Sequence, residues 1–413
     1  MACDILCFSH LRWHFMYHRP HHLMSRYARE RRVFYIEEPI QHRGPSRLQI
    51  SRSREGVTVV VPNVPPGLVR EQVDAIQRHL LAGLLKEHEI SSFITWFYTP
   101  MAVPLTRELQ PLAVIYDSMD ELALTSPAPP KLQDCERELF ARADLVFTDS
   151  QSMYESKRPF SQNVTAFPSS VDPDHFKHAR GDLPEFGVPR GVPRPRLGYH
   201  GAIDERLDFS LVAGIADARP DWQLVLVGPV RTSQLEKLPR RPNIHYLGPK
   251  PYGKLPAYLA HWDVGILPFA LNEATRFISS TQTLEILSAG KPVVATNIRD
   301  VVEPHGRQGL VQVADTPESF VDAAAGAMGP QQRSWDIAVD ALLATTSWQQ
   351  TWDHMQALVT AATVRHAWQG PTDGRPEQLQ PAESNAIQFG RSSAGVGTAV
   401  GRGRPRVGND EAE

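Results

Sequence analysis

The stretch that decides the fold is RFISSTQTLEILSAGKPVVAT, residues 276–296, in which a hydroxyl-rich loop leads into a short helix. The pattern predicts a helix over 281–288 that ends at Gly290, and a β-branched strand over 292–296. The unpaired N–H groups and positive dipole end of such a helix suit an anion such as a diphosphate. Glu285 can accept hydrogen bonds from sugar hydroxyls, as the acidic residue of dinucleotide folds does. The stretch therefore predicts a nucleotide-sugar site.

Composition is that of an ordinary globular protein, with 413 residues, 41% hydrophobic and 22% charged, and a formal net charge of −3. This length predicts two or three domains, and the charge gives no general attraction for nucleic acid. Cys3, Cys7 and Cys135 are too few and too scattered for a disulfide framework. The sequence has no signal-peptide pattern and no apolar run of membrane-spanning length. We expect a cytoplasmic protein, with any contact with the inner membrane face being peripheral.

Short apolar strands alternate with helical stretches in both halves of the chain. The alternation predicts an α/β fold with two Rossmann-like, doubly wound domains that face each other across a cleft. The predicted strands cover residues 4–9, 33–37, 57–61, 92–97, 113–117, 145–148, 196–200, 223–228, 243–247, 264–268 and 292–296. The predicted helices cover residues 20–30, 69–86, 131–142, 151–157, 207–218, 254–262, 281–288 and 335–364.

Composition also predicts the domain boundaries. Residues 1–180 form the first domain, the Pro- and Arg-rich segment 181–195 forms a linker, and 196–346 form the second domain. A C-terminal helix over 347–366 carries an apolar stripe at i, i+4 and i+7 and is expected to pack back on the body. Residues 367–413 contain almost no large apolar side chains, which predicts disorder.

Several segments, in family order, resemble the retaining family 4 glycosyltransferases of the GT-B fold, and most closely the bacterial teichuronic-acid-type enzymes. The resemblance covers roughly residues 3–365. Its segments are FSHLRW (8–13), RPHHL (19–23), YDSMDE (116–121), PSSVD (168–172), HGAIDERLD (200–208), LVLVGP (224–229), YLG (246–248), DVGILPF (263–269) and the stretch from Ser280 to Thr296.

The resemblance implies transfer of a sugar, with retention, from a nucleotide diphosphate donor to a saccharide or lipid-linked acceptor in cell-envelope or exopolysaccharide biosynthesis. The second domain would hold the donor and the first domain the acceptor. No cofactor is implied, since the nucleotide sugar is a substrate. No metal is expected either, because cationic side chains and helix dipoles take its part.

The implied donor site lies on the loops and helix of the second domain. Arg206 would neutralise charge that grows on the departing diphosphate, and a solvated surface arginine is the alternative. Ser280 and Thr281 could donate to phosphate or simply cap the helix. The donor-binding residues are thus predicted to be Gly201, Arg206, Ser280, Thr281, Glu285 and Tyr252.

Two positions in the deciding stretch depart from the family pattern. Phe277 stands where relatives often have a second glutamate, and Gln282 where a lysine is common. The first change removes a carboxylate that could contact the sugar, and the second removes a positive charge near the diphosphate. A variant donor, compensation by another residue or a weakened enzyme would each account for them.

The predicted catalytic residues are Asp117, Asp120 and Arg206. The two aspartates follow an apolar strand whose end is expected to face the crevice, where a carboxylate could orient the acceptor hydroxyl or steady an oxocarbenium-like sugar. Helix N-capping is the alternative for either aspartate. Neither is assigned as a nucleophile.

A basic and aromatic group near the N-terminus predicts the acceptor site, through Arg12, Trp13, Arg19 and His22. These side chains could bind an acceptor phosphate or a lipid headgroup, with aromatic rings supplying apolar contact. A merely solvated basic face is an equal alternative.

Two rival functions keep the same fold. One is epimerisation or hydrolysis of a nucleotide sugar, which would consume donor without an acceptor. The other is a non-catalytic protein that binds a nucleotide sugar within an envelope assembly, which the departures at Phe277 and Gln282 motivate.

Overall fold

The first half of the chain is built on a twisted sheet of apolar strands that run parallel, with one antiparallel strand at the edge. Its strand order is β3-β5-β2-β1-β6-β7-β8-β9, with β4 paired to the outer side of β5. The strands are β1 (Asp4–Ser9), β2 (Val33–Glu37), β3 (Ile40–Gln41), β4 (Arg47–Arg52), β5 (Thr58–Val64), β6 (Phe93–Phe97), β7 (Val114–Ser118), β8 (Leu145–Thr148) and β9 (Val164–Ala166).

The second half repeats the plan with an all-parallel sheet in the order β12-β11-β10-β13-β14-β15. The central strands are buried along their whole length, as expected where helices cover both faces. The strands are β10 (Arg196–His200), β11 (Gln223–Val227), β12 (Ile244–Tyr246), β13 (Val264–Leu267), β14 (Val293–Ala295) and β15 (Val311–Val313).

Helices connect the strands of both sheets and supply the other layers of each core. They are α1 (Arg19–Tyr27), α2 (Arg70–Glu87), α3 (Leu132–Arg142), α4 (Gln151–Lys157), α5 (Pro173–Lys177), α6 (Phe209–Ala218), α7 (Leu255–Leu259), α8 (Thr281–Ser288), α9 (Arg299–Val302), α10 (Pro317–Ala327), α11 (Arg333–Ala344) and α12 (Trp348–Trp368). The predicted α/β class is confirmed. The predicted strands are present within a few residues of their expected bounds, whereas β3, β4, β9 and β15 were not predicted.

Each sheet has one point where the strand order reverses, and this point positions the site. β1 lies beside β6 in the first sheet, and β10 lies beside β13 in the second. Loops that leave neighbouring strands at such a point diverge to opposite faces and open a crevice, where α/β proteins bind ligands. The crevices of this chain are therefore flanked by the loops after β1 and β6, and by those after β10 and β13.

The prediction of one continuous helix over 335–364 is wrong, because this segment forms two helices. Helix α11 ends at Ala344 and α12 begins at Trp348. Ser347 separates them because its hydroxyl accepts a hydrogen bond from the Gln350 N–H at 3.2 Å, the geometry of a helix start. The apolar stripe of α12 packs on the first core as expected, through Trp348, Trp352, Met355, Val359 and Ala362.

The computed structural model describes residues 3–124, 131–184, 191–231, 235–273, 275–279, 281–303, 305–329 and 333–368. Part of the predicted linker, nearly all of the predicted disordered tail, and Ser280 lie outside these residues. Within them, no helix is both long enough and apolar enough to cross a membrane.

Candidate functional site

Two glycine loops leave the second sheet at its carboxyl edge and touch through their backbones. Gly201 follows β10 with a φ of +143°, and Gly228 follows β11 with a φ of +152°. A Cβ on Gly228 would lie 1.7 Å from the carbonyl oxygen of Gly201, so only glycine fits there. A Cβ on Gly201 would lie 2.7 Å from Nε2 of Gln282, so the first turn of α8 covers this loop. The predicted donor loop and the predicted donor helix are therefore adjacent.

Helix α8 follows the prediction closely. It begins at Thr281, and Gly290 leaves it with a φ of +70° while its N–H donates to the carbonyl oxygen of Leu287 at 2.9 Å. The Thr281 hydroxyl donates to the Ser169 hydroxyl of the first half at 3.2 Å. The helix start therefore lies where the two halves of the chain meet.

Glu285 points into the protein, with 6% of its surface exposed. Its Oε2 lies 3.3 Å from Nε2 of His200, the last residue of β10. Burial raises the pKa of Glu285 to about 8, with the charge of Asp172 adding to the effect. Burial lowers the pKa of His200 to about 3. At neutral pH both groups are uncharged, which leaves a buried carboxyl able to exchange hydrogen bonds with a ligand hydroxyl.

Tyr252 lies in a stack of rings rather than on the glycine loops. Its ring is 4.4 Å from that of Tyr17 and 4.5 Å from that of His175, both nearly parallel to it. Its hydroxyl is buried and has no hydrogen-bond partner among the described residues. Burial raises the pKa of Tyr252, and the charge of Glu285 adds to this. Tyr252 thus joins the first half of the chain to the surroundings of Glu285.

Arg206 is fixed at the crevice by a carboxylate two residues earlier. Its guanidinium donates to both oxygens of Asp204, at 2.9 and 2.7 Å, and 46% of its side chain is exposed. Burial lowers the pKa of Arg206, but Asp204 outweighs this and raises it. The result is a permanently charged, oriented cation with a free face toward solvent.

Asp120 faces Arg206 from the first half of the chain. Its Oδ2 lies 3.3 Å from Nε2 of His10, and the other ring nitrogen of His10 is 3.0 Å from the carbonyl oxygen of Tyr98. Burial raises the pKa of Asp120, but His10 and then Arg206 and His18 outweigh it and lower the pKa. For His10, burial lowers the pKa, but the hydrogen bond and charge of Asp120 outweigh burial, and the pKa is raised. The structure therefore brings two predicted catalytic residues, Asp120 and Arg206, to one crevice.

Asp117 is placed differently from Asp120. It is fully buried on β7, where Nε of Arg19 donates to its two oxygens at 3.0 and 3.2 Å. Arg19 also donates to the carbonyl oxygen of Phe167 at 2.8 Å and reaches α12 at Met355. Burial raises the pKa of Asp117 although Arg19 opposes it. In this structure Asp117 and Arg19 form an internal ion pair, and neither faces the crevice.

The other predicted acceptor residues are also largely engaged inside the first half. Arg12 donates to Glu37 Oε2 at 2.9 Å, and 38% of its side chain is exposed. Trp13 is buried, and its backbone N–H donates to Glu37 Oε1 at 2.8 Å. His22 is buried with its ring stacked 4.5 Å from that of Trp348. Among the four predicted acceptor residues, Arg12 therefore offers the most side-chain surface to a ligand.

Polar contacts join the two halves beside the deciding stretch. Asp300, on α9, accepts hydrogen bonds from the backbone N–H groups of Gln151 and Ser152 at 3.0 and 3.2 Å, at the start of α4. Arg299 donates to both oxygens of Glu155, at 2.7 and 3.0 Å. A cavity of about 360 Å³ lies between these elements and Phe277. These contacts hold α4 of the first half against α9 of the second.

Three polar residues of the site were missed by the sequence reasoning. His10 is not among the predicted acceptor residues, although it directly follows β1 at the reversal of strand order, a position that indicates the crevice. His200 is not among the predicted donor residues, and its proximity to Glu285 is visible only in the fold. Asp149, directly after β8, is buried with an oxygen that has no hydrogen-bond partner among the described residues, and burial raises its pKa. No group of three or more potential metal ligands lies in the described ranges.

Residues 194–329, which hold the glycine loops, Arg206 and α8, match the family described as Glycosyl transferases group 1. A curated protein of Bacillus subtilis (strain 168), named as a teichuronic acid biosynthesis glycosyltransferase, TuaH, is 28% identical over 246 residues. The match covers 54% of this chain and 62% of TuaH, so it spans less than two thirds of that relative.

Solved structures resemble nearly the whole chain in fold. Sucrose-phosphate synthase from Thermosynechococcus elongatus has a TM-score of 0.64 at 14% identity, covering 88% of this chain and 100% of its own. Trehalose 6-phosphate synthase from Burkholderia multivorans has a TM-score of 0.61 at 14% identity, covering 91% and 100%. Anabaena HepE, in complex with UDP and glucose, has a TM-score of 0.62 at 13% identity, covering 87% and 100%.

Proposed function

We propose, for a chain that has the GT-B fold and matches Glycosyl transferases group 1 over residues 194–329, that it transfers a sugar from a nucleotide diphosphate donor to a saccharide or lipid-linked acceptor. The anomeric configuration of the sugar is retained, and no metal takes part. The product belongs to a cell-envelope or exopolysaccharide, as the name of the relative TuaH supports. The reaction takes place in the cytoplasm.

The observation that carries the proposal is the packing of α8 against the two glycine loops, with Glu285 behind them. Gly201 lies against the first turn of α8 and Gly228 packs on Gly201, so a diphosphate bound there would meet the backbone N–H groups of a helix start and the positive end of a helix dipole. Glu285, buried beside the neutral ring of His200, would exchange hydrogen bonds with ribose hydroxyls. The complex of HepE with UDP and glucose supports a uridine nucleotide as the first donor to test.

Arg206 supplies the electrostatic step. As the bond to the sugar breaks, negative charge grows on the diphosphate, and a cation already oriented by Asp204 stabilises that charge without rearranging. Because Gln282 carries no charge, Arg206 takes over the part that a lysine on α8 has in relatives. This assignment makes Arg206 the cation on which the rate of transfer depends.

The pair of Asp120 and His10 acts on the acceptor side of the same crevice. Asp120 is ionised at neutral pH, since its pKa is lowered, and about a third of its side chain is exposed, at 36%. It accepts a hydrogen bond from the attacking hydroxyl and orients it toward the sugar, and His10 fixes the carboxylate. The leaving phosphate oxygen receives the acceptor proton, so no protein nucleophile is needed.

The test is titration of the purified chain with a panel of nucleotide sugars in a calorimeter, followed by a transfer assay with saccharide and lipid-linked acceptors. We expect one donor to bind, Glu285→Ala to weaken its binding at least tenfold, and the exposed control Glu318→Ala to bind normally. NMR of the product then gives the anomeric configuration. Failure of every donor to bind would overturn the proposal, and inversion would overturn its stereochemical part.

A second candidate is binding of a nucleotide sugar without transfer. It is favoured by Phe277, whose half-buried ring lies where relatives often have a sugar-contacting carboxylate. Donor binding that depends on Glu285, with neither transfer to any acceptor nor hydrolysis, would support it. Donor consumption in the absence of an acceptor would support an epimerase or hydrolase instead.

A further inference from the structure

The edge of the first sheet carries a concentration of positive charge that the proposed site does not use. Residues 39–54 contain four arginines and no aspartate or glutamate, in a chain whose net charge is −3. They form β3, a turn and the edge strand β4, and both strands pair with β5. Together they are called the basic edge segment here. All four arginines, at 43, 47, 52 and 54, are exposed and have no ion pair among the described residues. The nearest carboxylates along the chain are those of Glu38 and Glu55.

The sheet register places the turn of the basic edge segment on the side of the crevice. Ile40 of β3 and Arg47 of β4 both pair with Asn63, one residue before the end of β5. The turn at 42–46 therefore wraps around the carboxyl end of β5. The carboxyl ends of parallel strands share one edge, so this turn lies on the same edge of the sheet as His10 and Asp120.

Exposed apolar side chains accompany the arginines. Ile40 is 37% exposed and Ile50 on β4 is 39% exposed. Val69 is 60% exposed at the start of α2, which follows β5 after a short loop. Exposed aliphatic groups beside unpaired arginines are what a surface needs to lie in the headgroup region of a bilayer, where both find partners.

We propose that the basic edge segment docks this chain on an anionic bilayer surface, with Arg43 and Arg47 against the headgroups and Ile40 and Val69 in the interfacial layer. Charge complementarity selects this occupant, because the described part of the chain gives these arginines no ion-pair partner while the rest of the chain is net acidic. Docking at this edge sets the crevice beside the membrane, where a lipid-linked acceptor would arrive. This inference rests on the proposed function, which supplies the lipid-linked acceptor.

Charged residues on an edge strand also prevent pairing with another chain. That role accounts for charge along β4, but it gives no reason for exposed Ile40 and Val69 at the same end of the sheet. It also predicts no dependence on lipid charge. The two roles therefore separate in a binding experiment.

The experiment is flotation of the full chain with vesicles of phosphatidylcholine alone and with vesicles that also contain phosphatidylglycerol. We expect binding to the anionic vesicles only, and loss of that binding as salt is raised. Arg43→Gln/Arg47→Gln should lower the partition coefficient about 25-fold, about fivefold for each arginine lost near the surface. The control Arg333→Gln/Arg365→Gln removes the same charge from exposed positions on α11 and α12 that form no ion pair with a described residue, and it should bind as the unaltered chain does.

Equal binding to both kinds of vesicle, or equal loss in the control, would overturn the proposal. The proposal would also be overturned if Arg43→Gln/Arg47→Gln bound vesicles normally but lost binding to single-stranded RNA. The basic edge segment would then recognise nucleic acid instead of a bilayer. Donor titration of each variant by calorimetry keeps the two proposals apart. Vesicle binding without donor binding would refute the proposed function alone, and donor binding without vesicle binding would refute the docking alone.

Discussion

Glu285 and His200 meet 3.3 Å apart in the second half of the chain, and both side chains are almost wholly buried. With a pKa of about 8 for the carboxyl and about 3 for the imidazole, they meet as two neutral groups at pH 7. Keeping a carboxyl neutral allows it to be buried without a cation, and a ligand that donates to it would favour its ionised form. The proposed donor site should therefore respond to pH through Glu285.

Replacing Glu285 with glutamine should change how stability depends on pH. The folded pKa of Glu285 is raised, so the unfolded chain loses this proton first, and stability falls as pH rises from about 4.5 to about 8. Glu285→Gln removes that loss. Urea unfolding at about pH 5 and about pH 9 should show the variant gaining about 3 to 5 kcal/mol on the unaltered chain between the two conditions. Parallel loss of stability in both proteins would contradict the buried, neutral state of Glu285, and Glu318→Gln is the exposed control.

The sequence predicted the parts of the fold that depend on local pattern. Helix α8 and its end at Gly290 follow from a run that switches from helical to strand periodicity at a glycine. Strand β3 was missed because it has only two residues. Strand β4 has six, but it is almost wholly exposed and only Leu48 and Ile50 are apolar, which is a weak strand signal. The division of the predicted 335–364 helix was missed because its signal is brief: three weak helix formers, Thr345, Thr346 and Ser347, lie between two stretches of helical pattern, and the Ser347 side chain caps α12.

The candidate site could be predicted only where one segment supplies the chemistry. Glu285 and Arg206 belong to two short segments, α8 and the loop after β10, whose own residues indicate sugar or anion binding. The acceptor prediction rested on residue type, which cannot show that Arg19 is paired with Asp117, 98 positions away in the chain. The partnership of His10 with Asp120 spans 110 positions and depends on the strand order of the sheet. Long-range pairing of this kind leaves no local signal.

Asp120→Asn should slow transfer without weakening donor binding, because the proposed mechanism places Asp120 on the acceptor side. Loss of the ionised partner also lowers the pKa of His10, which Asp120 holds above its usual value. We expect kcat to fall about 100-fold, as for loss of a group that orients the attacking hydroxyl, with the donor Kd unchanged. Steady-state kinetics and calorimetry measure the two quantities, and Asp134→Asn on α3 is the exposed control. Unchanged kcat would remove Asp120 from the proposed mechanism.

The buried pair of Arg19 and Asp117 should be required for stability. Removing one partner leaves the other charge buried alone, so Arg19→Met and Asp117→Asn should each lower the free energy of unfolding by about 3 to 5 kcal/mol. The double variant leaves no unpaired charge and should recover part of this loss. Urea unfolding measures all three. A neutral single variant would show that the pair is dispensable, and a stable double variant without transfer activity would restore Asp117 to the catalytic residues.

Asp300 should couple the two halves of the chain during turnover. Its carboxylate accepts hydrogen bonds from two N–H groups at the start of α4, and a lost cap of this kind costs about 1 kcal/mol. Asp300→Ala should therefore reduce kcat/KM about fivefold, since closure of the crevice precedes transfer, while the donor Kd stays the same. Asp300→Asn keeps an acceptor oxygen at the same place and should retain most of the activity. Equal effects of the two substitutions would show that charge, and not the helix contact, is what Asp300 contributes.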